Sequence, residues 1–280
     1  MDLEAHLAQW DVTNKAAAVL DWGDNAHAHG VESALVATAG DIHRVFELAS
    51  VTKLLCAYGF LIAISEGVVE LDTPCGPTDA TVKHLLAHAA GVGFSQDDPI
   101  KKPEQRRIYS SYGFELLSAA VERETDIPFP EYLHEAVFAP LGMHNSLLHG
   151  SAGHGARSSV YDLTLFAREV LFPQLLDDQT VAQACHTTFP GLAGIVPGYG
   201  MYKPCDWGLG FEIKGAKNPH WTGQSMPSDV VGHFGQSGTY MWLHRPSKRA
   251  MIALTDRAFG PWAKEVWGQT NDHIWQELTH

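Results

Sequence analysis

Ser50 and Lys53 stand three positions apart, where an extended stretch gives way to the apolar run Leu54 to Ile64. On a helix three residues advance by about 300° and roughly 4.5 Å, so the two side chains leave nearly the same face. A serine that keeps its proton is a poor nucleophile and needs a base within hydrogen-bond reach. A lysine in the first helical turn is otherwise badly placed, because the macrodipole there favours anions. The same dipole in a dry surround favours the neutral amine, which can accept a proton. The pair points to covalent acyl transfer, with Ser50 as nucleophile and Lys53 as general base. The structural alternative is an N-cap serine ahead of a buried helix.

Two other stretches supply parts for that chemistry. The run Tyr109-Ser110-Ser111-Tyr112 closes a polar loop just before a helical pattern. Tyr109 can act as an acid/base if a neighbouring cation, with Lys53 the candidate, lowers its pKa from about 10. Alternatively Tyr109 is a half-buried ring and Ser110 or Ser111 a helix N-cap. The run Gly232-His233-Phe234-Gly235-Gln236-Ser237-Gly238 places three glycines at a strand, which weakens it unless something approaches the backbone closely. A backbone N–H presented there, paired with that of Ser50, would form an oxyanion hole. A β-bulge with a half-exposed histidine is the structural alternative.

The elements that must position these groups follow from pattern. Residues 15–21, 31–38 and 44–48 read as strands, with turns at Trp22 to Asn25 and at Ala39 to Asp41 and a short helix at 2–10 ahead of them. Helical spacing covers 50–66, 82–90, 111–124, 130–138 (closing before Pro140) and 158–172, the last capped by Ser159. Residues 92–107 form a polar loop containing Arg106 and Arg107, and 185–206 is rich in Gly and Pro without a clear pattern. Residues 207–213, 230–233, 239–244 and 250–255 read as strands, and a terminal helix begins at Pro261. Strands at both ends around a helical middle imply an α+β fold: one antiparallel sheet flanked by helices, plus a mainly helical second lobe. The expected division is 1–49 with 207–280 as the sheet domain and 50–206 as the helical one, with Ser50 on the floor of the cleft between them.

Composition narrows the function classes. The 280 residues are 45% apolar and 18% charged, and the net charge of −13 argues against nucleic acid or an anionic membrane as partner. The first ten residues lack the basic start and apolar core of a secretion signal, and the four scattered cysteines form no CxxC pair. Free thiols in the cytoplasm are expected. Sixteen histidines invite a metal, but the best pair, His84 and His88, has Leu85 where the H-E-x-x-H zinc motif needs glutamate. No metal or other cofactor is expected, and neither a phosphate loop nor a G-x-S-x-G elbow offers a rival site. The sequence is silent on oligomeric state.

Taken together, these motifs resemble the serine β-lactamase and penicillin-binding-protein superfamily, on its class C, DD-peptidase and esterase side. S-x-x-K is Ser50-Val51-Thr52-Lys53, Y-x-N corresponds to Tyr109-Ser110-Ser111, and K/H-T-G to His233-Phe234-Gly235. The phrases 66–74, 82–91, Pro140 to Met143 and Trp207 to Phe211 also look like that superfamily, in its order. The resemblance implies an acyl-enzyme on Ser50, with Lys53 and Tyr109 sharing the proton work. It also implies that the N–H groups of Ser50 and Gln236 hold the oxyanion. Two departures bear on substrate. Ser111 replaces the asparagine that binds a substrate amide, and Phe234 replaces a small hydroxyl residue. His233 is only partly charged near neutral pH and would hold a carboxylate less firmly than lysine. A small neutral ester or amide is the expected substrate. The rivals are a D-amino-acid peptidase or weak β-lactamase of the same fold, and a non-catalytic binding or scaffold protein with a decayed site.

Overall fold

Lys15–Asp21 and Arg249–Thr255 are nearly continuous apolar runs, as expected of strands covered on both faces. In the computed structural model, which describes residues 1–23 and 30–279, the two lie side by side as interior strands of a six-stranded sheet. The chain opens with α1 (Leu3–His6), β1 (Lys15–Asp21), α2 (Val31–Ala34), β2 (Leu35–Gly40) and β3 (Val45–Glu47). The middle holds α3 (Thr52–Ser65), α4 (Val82–Leu86), α5 (Tyr112–Thr125), α6 (Phe129–Leu133) and α7 (Ala139–Leu141). There follow β4 (Leu147–Leu148), β5 (Ala156–Ser159), α8 (Val160–Leu171), α9 (Asp178–Ala184) and the hairpin β6 (Gly194–Val196) with β7 (Gly200–Tyr202). The chain closes with β8 (Glu212–Ile213), β9 (Val231–Gly235), β10 (Thr239–His244), β11 (Arg249–Thr255) and α10 (Pro261–Thr279).

The main sheet runs β2-β1-β11-β10-β9-β8, every pair antiparallel, so strands from both chain ends join as expected. Side chains alternate faces with period two. Ala18, Ile252 and Met241 share one register row and face the larger core, which contains α3, α5 and α8. Ala17, Ala253 and Tyr240 lie in the next row and face the core beneath α10. The row of Met241 ends at His233 and that of Tyr240 at Phe234, so these neighbours leave β9 on opposite faces.

Several local expectations are corrected. Residues 31–34 are helical and the strand begins at Leu35, because a four-residue apolar run fits helix and strand equally well. Strand β3 stays out of the main sheet and pairs with β5, a partner more than a hundred residues away. Only Glu212–Ile213 of the expected strand at 207–213 is extended, since Gly210 (φ 88°) folds the preceding residues into a tight loop. The helix at 130–138 passes through a π-turn at His134–Phe138 and into α7, so Pro140 does not end it. The far half of the turn expected at Trp22 to Asn25 lies outside the described residues. Among the described residues, no helix is long and apolar enough to cross a membrane.

Candidate active site

Ser50 occupies a single 3-10 turn, Ala49–Val51, immediately ahead of α3. Ala49 has φ 46°, in the left-handed region that costs an L-residue about 1–3 kcal/mol. Hydrogen bonds on either side hold the turn there. The Leu48 N–H donates to the Ala156 carbonyl at 2.9 Å, and the Leu48 carbonyl accepts from Thr239 Oγ1 at 2.8 Å. Ser237 Oγ donates to the Glu47 carbonyl at 2.7 Å. Gly235 comes so close that a Cβ there would stand 2.3 Å from the Leu48 carbonyl oxygen. The β9–β10 corner thus clamps the turn that presents Ser50.

Lys53, one turn further on, has no solvent exposure. Its Nζ donates to Tyr109 Oη at 2.8 Å, Ser111 Oγ at 3.1 Å and the Gly153 carbonyl at 2.7 Å. All three acceptors are uncharged, so nothing at contact distance repays the loss of water. Burial lowers its pKa to about 7, against weaker opposing effects of Cys56 and Glu115. Among the hydrogen bonds of the described residues, Lys53 reaches Tyr109 and not Ser50; Ser50 and Tyr109 line one pocket, and Ser50 acts on the phenol that Lys53 holds.

Tyr109 differs from expectation in its titration. Burial pushes the phenol above its ordinary value, and the Ser50 hydrogen bond pulls the other way without reversing it. Of the pair, Lys53 is the group brought near neutrality. The backbone around Tyr109 is fixed on both sides by His88, whose carbonyl accepts the Ile108 N–H at 2.9 Å and whose Nδ1 accepts the Ser110 N–H at 3.2 Å. The His88 ring lies 4.9 Å from that of Tyr109. Arg107, in the stretch expected as a polar loop, is 2% exposed and donates to the carbonyls of Ala87, Thr188, Phe189 and Cys205.

A pocket of about 250 Å³ opens over Ser50 and Tyr109, lined also by Phe94, Val196, Pro197, Trp207, Glu212, His233, Phe234 and Gln236. A larger cleft of about 570 Å³, bordered by Cys185, Asp206, Asp229 and Arg245, contains none of the Ser50, Lys53 and Tyr109 trio. That trio, rather than volume, picks out the candidate site. Gln236 is pinned through its carbonyl, which accepts the Phe259 N–H at 2.8 Å, and its Nε2, which donates to the Phe259 carbonyl at 3.1 Å. His233 is 2% exposed, its Nδ1 lies 2.6 Å from the Phe234 carbonyl, and burial lowers its pKa to about 4, with Lys53 adding to the effect. Phe234 packs largely into the core under α10, with ring centres 4.8 Å from Phe259 and 6.0 Å from Trp221. Ser111 and Gly235 do not line the pocket: Ser111 is an acceptor for Lys53, and Gly235 seats the Ser50 turn.

Sequence reasoning missed Gly153, whose carbonyl has no side-chain signature, although the Gly-rich run 150–155 was a visible cue. It also missed Trp207, whose ring meets His88 edge-on at 4.7 Å and His233 at 5.4 Å. Glu212 is held by His220 Nε2 at 3.1 Å and by the indole N–H of Trp221 at 2.9 Å. Its pKa lies at about 2: burial raises it, but His220 and Lys217 outweigh burial. His84 and His88 diverge, His84 stacking on Phe189 at 4.6 Å. Among the described residues, no group of three or more His, Cys, Asp or Glu is placed to hold a metal ion.

The chain matches the β-lactamase family model over residues 8–270. The crystal structure of a β-lactamase from Mycobacterium bovis is similar with TM-score 0.93 and 45% identity, covering 99% of this chain and 100% of that one. The octameric penicillin-binding protein homologue from Pyrococcus abyssi has the same fold, with TM-score 0.75 and 18% identity over 98% of this chain and 77% of that one. Penicillin-binding protein 4* of Bacillus subtilis (strain 168) is 23% identical over 158 residues, 42% of this chain. The match spans 35% of that curated relative's length.

Proposed function

The chain belongs to the β-lactamase family, and from that premise we propose a serine hydrolase that forms an acyl-enzyme on Ser50 with small uncharged esters or amides. The observation that carries this reading is the Lys53–Tyr109 hydrogen bond beside Ser50, around a dry amine whose pKa is about 7. Once neutral, Lys53 keeps two N–H bonds for Ser111 Oγ and the Gly153 carbonyl and turns its lone pair to the Tyr109 hydroxyl. Ser50 Oγ attacks the carbonyl carbon, its proton passes to Tyr109, and the Tyr109 proton passes to Lys53. The oxyanion falls to the N–H groups of Ser50 and Gln236. Reversal of the relay protonates the leaving group as the carbonyl reforms. Water then attacks the acyl-enzyme, gives its proton to the same relay, and frees Ser50 and the acid.

Uncharged substrates are favoured because His233 is neutral at physiological pH and Lys53 is engaged in the relay. β-Lactam hydrolysis is the competing reading, since the Mycobacterium bovis relative is described as a β-lactamase. The test compares p-nitrophenyl esters, D-alanyl peptides and nitrocefin, with fluorophosphonate labelling read by mass spectrometry in wild type and Ser50→Ala. Ester turnover and an adduct lost in Ser50→Ala are expected. Rapid nitrocefin turnover without ester cleavage would replace the substrate assignment, and absence of any adduct would leave a non-catalytic protein.

A further inference from the structure

Phe94 is 53% exposed, yet it lines the pocket over Ser50. A large aromatic side chain left open to water at the mouth of a catalytic pocket is the informative kind of exposure, since scattered surface apolar groups need no explanation. Its position is built. The Phe94 carbonyl accepts the Tyr112 N–H at 3.1 Å, and the carbonyl of Gly93 accepts from Ser110 Oγ at 2.5 Å. The same short segment that carries Tyr109 therefore fixes Phe94, with the two rings 6.1 Å apart. Gly93 admits no side chain, because a Cβ would stand 2.1 Å from that of Asp98. Across the pocket, Val196 and Trp207 are buried and Pro197 lies at the exposed rim.

We propose that Phe94, with Val196, Pro197 and Trp207, forms a slot for an apolar hydrocarbon chain next to the scissile carbonyl, making Phe94 a specificity-determining residue. This inference rests on the serine-hydrolase reading and adds the substrate class: uncharged esters with an aliphatic or aryl chain on the acyl or the alcohol side. The chain covers the ring of Phe94 when it binds, removing its exposed face from water along with the substrate's own surface. A pocket of about 250 Å³ takes on the order of eight heavy atoms, at about 30 Å³ each as for liquid water. Because the slot opens to water beside Phe94, chain added beyond it leaves the pocket and gains no further burial.

The experiment uses two ester series on the whole chain: p-nitrophenyl esters of growing acyl length, and acetates of growing alkyl alcohols. In wild type, kcat/KM should rise by about fourfold per methylene in one series and then level off. The series that rises identifies which side of the ester enters the slot. Phe94→Ala should flatten that rise, and Phe94→Leu should restore part of it. Flat behaviour in both wild-type series, or an equal slope in Phe94→Ala, would overturn the slot. Fluorophosphonate labelling of wild type separates the two levels. With Ser50 unlabelled the hydrolase reading fails first, whereas a labelled Ser50 with flat series sinks this inference alone.

Discussion

Lys53 holds its proton weakly because its surroundings offer hydrogen bonds without opposite charge at contact. The proposed mechanism needs that lone pair, so kcat/KM for a neutral ester should rise with pH around a midpoint near 7 and then level off. Lys53→Ala should lower it by about 10²–10⁴-fold, and a profile flat from pH 5 to 9 would remove Lys53 as the base. The same shift has a stability consequence with a definite sign. Between about pH 7 and 10 the unfolded chain keeps a proton that native Lys53 has released, so this lysine makes stability rise with pH across that window. His233 carries a second prediction. A carbonyl can only accept, so Nδ1 donates its proton to the Phe234 carbonyl, and the buried Nε2 is left as an unpartnered lone pair with no proton to offer a carboxylate. His233→Lys should therefore raise kcat/KM for carboxylate-bearing esters relative to neutral ones by about tenfold, measured on matched pairs. An unchanged ratio would show that carboxylates are refused for another reason. That Ser50 and Lys53 stand at the start of one helix was legible in sequence because spacing is local information, whereas the Tyr109 hydroxyl that Lys53 holds comes from a distant stretch. The lone pair of His233 was not, since it depends on a backbone oxygen that no residue letter records.

The segment carrying Tyr109 has no regular structure of its own, so it borrows rigidity from two neighbours. Arg107 anchors one end in carbonyls from three separate stretches of chain, and His88 brackets Tyr109 through its own carbonyl and its Nδ1. His88 achieves this with φ 54°, which asparagine tolerates better than most residues. Asn also offers an acceptor on a short side chain. His88→Asn should keep kcat within a few-fold of wild type, while His88→Leu, which fits neither need, should lower kcat about tenfold or more with little change in KM. Equal losses in both variants would mean that the ring matters and the bracket does not. A paired denaturation midpoint distinguishes lost positioning from lost folding. The sequence showed Arg107 only as part of a polar loop; its burial was not legible because charged residues are rarely buried without a carboxylate, and here carbonyl dipoles substitute for one. His88 read as structural for a similar reason: it acts through the amides of Ile108 and Ser110, which have no signature of their own.

At the scale of the molecule, the sheet is buried on both faces, and that burial brings chain ends and helical middle together around Ser50. The short apolar runs of β1, β10 and β11, bounded by turns, were readable as strands, and their union into one sheet followed from having strands at both ends of the chain. The diversion of β3 to β5 was not readable, because a three-residue strand carries too little pattern to choose a distant partner. The face under α10 has a feature that hydrophobic pattern alone hides. Asn271, fully buried, accepts from Tyr240 Oη at 3.0 Å and from the indole N–H of Trp242 at 2.9 Å. Its Nδ2 donates to the Trp221 carbonyl at 2.9 Å. One amide thus satisfies three groups from β10 and from the loop leading into β9, tying α10 to the sheet in a single register. Asn271→Leu keeps the branched skeleton and strands the Trp242 indole N–H and the Trp221 carbonyl in a dry core, leaving the Tyr240 hydroxyl only Met251 Sδ at 3.5 Å. Since each stranded group costs about 1–3 kcal/mol, a loss of at least about 2 kcal/mol is expected. It should appear as a lower urea midpoint with unchanged slope. A loss below about 0.5 kcal/mol would mean that the helix is held by its tryptophans alone, and that the polar clasp adds nothing to the sheet that positions His233.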